Sequence, residues 1–85
     1  MGLDVSIKHG DQTLSYWRKD WLIAEALCNE IGEKLKHVNG NPTQVSVSDL
    51  ERVESWLIQS LAEVHVAIAY AERAKVRHLT LDISY

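Results

Sequence analysis

LSYWRKDWLIAEALCNEIGEKLKHV, residues 14–38, sets Leu14, Trp17, Trp21, Ala24, Cys28, Ile31, Leu35 and Val38 at steps of three and four. That spacing lines side chains along one face of a 3.6-residue helix and predicts one long helix here. Ile23 and Leu27 widen the stripe on one side, as a globular helix needs. Thr13 or Ser15 is placed to cap its start. Asn39-Gly40-Asn41-Pro42 is placed to stop it, because Gly40 suits the left-handed position after a helix and Pro42 cannot continue one.

Working outward, Ser48-Asp49-Leu50-Glu51 has capping-box spacing and predicts the start of a second helix. Val53, Leu57, Leu61, Val64, Ile68 and Ala71 follow at helical spacing, with Ile58 beside them. Between Val64 and Ala71 the addition of Val66 and Tyr70 makes the helix apolar around most of its girth, so it needs cover from more than one side. The alternation Val64, Val66, Ile68, Tyr70 also fits a strand, but Ala62, Ala67, Ala69 and Ala71 favour helix on propensity. At the ends of the chain the period drops to two. Asp4-Val5-Ser6-Ile7-Lys8, closed by His9-Gly10-Asp11, predicts a short strand, and Leu79, Leu81, Ile83 and Tyr85 alternate with polar residues in a second. The expected architecture is therefore α+β, an antiparallel helical hairpin whose N- and C-terminal strands pair as a two-stranded ribbon, in the order β-α-α-β. Val38 to Val47 is left as the one long connection.

Eighty-five residues suit a single domain, 1–85, and a chain this short gains from a supplement such as a partner subunit. A lone cysteine, Cys28, rules out a disulfide within the monomer, and its place on the apolar stripe predicts a reduced, inert thiol. Residues Met1 to His9 show no apolar signal region and no stretch is long enough to span a bilayer, which points to a cytoplasmic protein without membrane contact. The net charge of -3 and pI near 5.7 disfavour nucleic acid, whose phosphates need a basic surface. That alternative rests on Arg18, Lys19, Arg73, Lys75 and Arg77. Arg73, Lys75, Arg77 and His78 are also what a helix macrodipole favours at a last turn.

Candidate chemistry is sparse. His9, His37, His65 and His78 have no metal-ligand spacing and no cysteine partner, and no phosphate-binding glycine loop is present. The expectation is no catalytic residue, no metal and no cofactor. His65 falls in the most apolar part of the second helix, where a neutral imidazole bonded to a neighbour is the simple reading. Glu25, Glu30 and Glu33 read as a solvated face, with Glu30 positioned to pair with Lys34. Trp17 and Trp21 are assigned to the core.

Met1-Gly2-Leu3-Asp4, Tyr16-Trp17-Arg18-Lys19 and Val45-Ser46-Val47-Ser48-Asp49-Leu50-Glu51 resemble a family of small tailed-phage proteins. The aromatic last strand resembles theirs too, whereas the glycine- and aromatic-rich segment of longer members has no counterpart between Ala74 and His78. The resemblance implies a phage accessory protein in a bacterial host that binds a host or phage protein, to block a defence or metabolic factor. It supplies no catalytic residues. The candidate partner-binding residues are Trp56, Val66, Tyr70, Arg73 and Arg77. Trp56, off the main stripe, is either an exposed anchor or packed under the terminal strands. The alternative is a homodimer in which Val64 to Ala71, or Ala24 and Cys28, meet a second copy.

Overall fold

The computed structural model describes residues 2–56 and 61–85, with the side chains of Trp56 and Leu61 outside that description. Its element order is β1 (Asp4–His9), β2 (Gln12–Arg18), α1 (Trp21–Ile31), α2 (Leu35–Val38), β3 (Thr43–Ser46), α3 (Val47–Trp56), α4 (Leu61–Ala74) and β4 (His78–Ser84). The strands form one antiparallel sheet in the order β2-β1-β4-β3. This overturns the helical hairpin with a two-stranded ribbon. β1 and β4 do lie side by side, but as the central pair of a four-stranded sheet.

The largest correction falls on residues 14–38. Leu14 to Arg18 belong to β2, which returns along β1 through a two-residue turn with Gly10 at φ 61, a conformation glycine adopts without steric cost. The chain then turns at Lys19, φ 60, and Asp20 caps α1 by accepting from the Ile23 N–H at 3.1 Å. The caps expected at Thr13 or Ser15 therefore fail, since both lie inside a strand. Leu14 sits at a bulge, because Ile7 pairs with Ser15 but Lys8 with Thr13. α1 ends at Gly32, φ 74, whose N–H bonds to the Asn29 carbonyl while Glu33 N–H reaches back to Cys28 O. That pair of hydrogen bonds closes the helix C-terminus in the Schellman manner.

The connection expected from Val38 to Val47 contains β3, paired with β4 from Thr43↔Leu81 to Ser46↔His78. The capping box is shifted two residues upstream of Ser48 and Glu51. Ser46 Oγ accepts from Asp49 N–H at 3.0 Å, and Asp49 Oδ2 accepts from Ser46 N–H at 3.2 Å. The second helix is two helices, α3 and α4; Leu57 and Ile58 lie outside the described residues. α4 ends on Lys75 at φ 57, with Val76 N–H bonded to Ala71 O.

Alternation in the strands explains the layering. Val5, Ile7, Trp17, Leu79, Leu81, Ile83 and Val45 face one side and are buried with Ala24, Leu27, Leu50, Val53, Val64, Ala67, Ile68 and Ala71 of the helices. Full burial of each large aliphatic side chain contributes about 1.5–3 kcal/mol. Ser15, the buried polar residue of this side, donates its hydroxyl to the Glu63 carbonyl of α4. The other sheet side carries Asp4, Ser6, Lys8, Tyr16, Thr80 and Asp82, half-buried or exposed and joined by a Lys8–Asp82 ion pair at 3.1 Å and a Tyr16–Asp4 hydrogen bond. No described helix is long and apolar enough to cross a membrane.

Candidate functional site

The helix α1 divides sharply into two sides. Ile23, Ala24, Ala26, Leu27 and Cys28 are buried, whereas Trp21, Leu22, Glu25 and Asn29 form the exposed face. Trp21 keeps 47 % and Leu22 59 % of its surface open to solvent. The expectation that Trp21 joins the core fails because Asp20 caps the helix. Trp21 becomes its first residue, on a different element from Trp17, which is 6 % exposed on β2.

Trp21 packs edge-on against Tyr85, with ring centroids 5.2 Å apart and 61° between planes. Tyr85 is itself placed by Asn39, whose side-chain oxygen accepts from the Tyr85 N–H at 2.9 Å. Gly40 N–H donates to Ile83 O at 2.8 Å, so the segment after α2 pins the end of β4. Trp21, Leu22 and Tyr85 thus make an apolar, aromatic surface at the sheet end where Asp4 pairs with both Arg18 and Ser84.

Farther along α1, Glu25, Cys28, Asn29, Glu33, Lys34 and Leu35 line a concavity of about 320 Å³. Cys28 is buried, and its thiol is pushed up from the ordinary value, first by burial and then by the charges of Glu25 and Glu33. A thiol held protonated beside two carboxylates is a poor nucleophile. A second concavity, of about 410 Å³, is lined by Ser46, Val47, Ser48, Val76, Arg77 and His78 at the start of α3. There the Asp49 carboxylate already takes the Ser46 N–H and also pairs with Arg52, which opposes an incoming anion.

The other sequence candidates scatter. Val66 and Arg73 are exposed and Tyr70 half-buried on α4, where the Tyr70 hydroxyl and His9 Nδ1 are hydrogen-bonded at 2.8 Å. Arg77 lies exposed just before β4. Tyr70, through His9, and Arg77, beside the start of β4, lie towards the β1–β2 turn end of the sheet, away from Trp21. The Trp56 side chain lies outside the described residues. His65 is exposed rather than set in apolar surroundings, with Nδ1 3.1 Å from Glu54 Oε2. Glu30 pairs with Arg52 of α3, not with Lys34; the contact raises the Arg52 pKa. Ala24, Cys28, Val64, Ala67, Ile68 and Ala71 are covered by the same chain, which withdraws them as a surface for a second copy. Arg18 is paired with Asp4 and so lies at the Ser84 end of the sheet, whereas Arg77 precedes His78 at the other end, about 20 Å away along the strands. Arg18 and Arg77, two of the basic residues proposed for nucleic acid, therefore do not belong to one tight cluster. Among the described residues no group of three His, Cys, Asp or Glu side chains is placed to hold a metal.

No protein family, curated protein or solved structure matches the chain.

Proposed function

We propose that this chain is a non-catalytic binding protein, a phage accessory factor that grips a host or phage protein through Trp21, Leu22 and Tyr85. The observation that carries the reading is the Trp21–Tyr85 pair. A tryptophan that large, nearly half exposed and held in place by a second aromatic ring, is a preorganised anchor. Tryptophan and tyrosine dominate binding energy at protein interfaces because they bury much area for little lost side-chain freedom. Asn39 supports the pair by fixing the Tyr85 backbone. The phage setting draws its support from the motifs at Met1 to Asp4, Tyr16 to Lys19 and Val45 to Glu51. Blocking a host defence or metabolic factor is the action that fits a small binder without chemistry of its own.

The experiment is affinity capture from bacterial lysate with the natural chain and a Trp21→Ser variant of equal thermal stability. The reading expects a specific protein retained by the first and lost by the second. Equal retention by both removes Trp21 from the interface.

A further inference from the structure

We infer that the partner meets α1 with a basic, apolar segment, placing an apolar side chain on Trp21 and Leu22 and a Lys or Arg in the concavity between Glu25 and Glu33. The inference rests on the reading of the Trp21 face as a binding surface. The exposed residues of α1 are graded along its axis, aromatic and aliphatic at Trp21 and Leu22, then Glu25 and Asn29. The helical rise puts Asn29 about 12 Å from Trp21, within reach of one short peptide segment.

Glu33 joins this row through the backbone. Left-handed Gly32 turns the chain, and the Glu33 N–H bond to Cys28 O at 2.9 Å folds Glu33 back beside the helix it follows. Glu25 and Glu33 consequently line the same concavity and both act on the Cys28 thiol. Neither carboxylate has an ion-pair partner among the described residues, whereas Glu30 pairs with Arg52. Lys34 is the cation at the rim, leaving two carboxylates against one ammonium. Apolar surface running into unpaired negative charge is complementary to a segment with the opposite order of properties.

The test uses labelled peptides and fluorescence anisotropy at low and high salt. One is a short amphipathic leucine–lysine peptide, the second has its lysines acetylated, and the third replaces lysine with glutamate. The leucine–lysine peptide is expected to bind, and the other two to bind about tenfold more weakly or not at all. A Glu25→Gln, Glu33→Gln double variant is expected to lose about tenfold for the leucine–lysine peptide, and a Glu51→Gln, Glu72→Gln control on other helices to lose nothing.

Equal loss in the control pair makes the effect one of net charge and overturns the inference, as does the absence of binding by all three peptides. If Trp21→Ser abolishes binding while Glu25→Gln, Glu33→Gln leaves it unchanged, the basic segment is wrong and the surface stands. If Trp21→Ser leaves binding unchanged, both fall. A Trp21-dependent dimer in light scattering gives the face to a second copy and likewise overturns the inference.

Discussion

Trp21, the first residue of one helix, and Tyr85, the last residue of the chain, meet edge to face across 5.2 Å although 64 positions separate them in sequence. The contact lies on the surface, whereas Trp17, four residues before Trp21, is buried in the core between the sheet and the helices. The two tryptophans should respond very differently to truncation. Trp21→Ala is expected to cost about 1 kcal/mol, the worth of an aromatic pair, and Trp17→Ala about 3–5 kcal/mol through the cavity it leaves. Trp17 Nε1 is buried with no hydrogen-bond partner among the described residues, so Trp17→Phe removes an unsatisfied donor along with its volume and is expected to cost about 1 kcal/mol or less. Urea unfolding of the three variants checks the order.

Helix capping gives a second contrast. Ser46→Ala removes the hydroxyl that accepts from Asp49 N–H and should destabilise by about 1 kcal/mol. Ser48→Ala, at the position the sequence pattern favours as the cap, should change stability by less than about 0.5 kcal/mol. Thermal melts of both proteins measure the difference.

Lys75 and Gly32 occupy the same left-handed position after α4 and α1. Only glycine adopts it freely. Lys75→Gly is expected to stabilise by about 1 kcal/mol and Gly32→Ala to destabilise by about as much, read from denaturant midpoints.

The raised pKa of Cys28 fixes the sign of a pH effect. Above its ordinary value of 9.0 the unfolded chain releases the thiol proton while the folded chain retains it. The unfolded state then binds fewer protons, so stability falls as pH rises. Cys28→Ala should remove this part of the slope. Tyr16, whose pKa is raised by its hydrogen bond to Asp4, leaves a remainder from about pH 10 upward in that variant. Unfolding curves between pH 8 and about pH 11 test both statements.

How far the fold was legible follows from these residues. The period-two patterns of Asp4 to Lys8 and Leu79 to Tyr85 mark β1 and β4, because Val5, Ile7, Leu79, Leu81 and Ile83 are buried at full depth, although β4 runs from His78 to Ser84 and Tyr85 lies beyond it, partly exposed. β2 was hidden by a coincidence of spacing. Leu14, Trp17, Trp21 and Ala24 fall at steps of three and four, yet a turn at Lys19 cuts the series, and the first two belong to a strand. No glycine marks that turn; Asp20, a good cap directly before Trp21, was the signal available. β3 buries a single residue, Val45, and four residues with one apolar member carry too little pattern to separate from a loop. The candidate surface was missed for the same reason as β2. Trp21 falls on the apolar stripe, which hides its exposure, and the approach of Tyr85 depends on a strand order that no local pattern encodes.

The account stands on the claim that the exposed face led by Trp21 is where a partner protein docks. Hydrogen–deuterium exchange on the natural chain, alone and with its captured partner, reads that claim residue by residue. Binding is predicted to slow exchange in residues 21–31 and at the Tyr85 end of β4, leaving the β1–β2 turn and the last turn of α4 unchanged. Protection centred instead on Val66, Tyr70 and Arg73, with residues 21–31 unaffected, would contradict it.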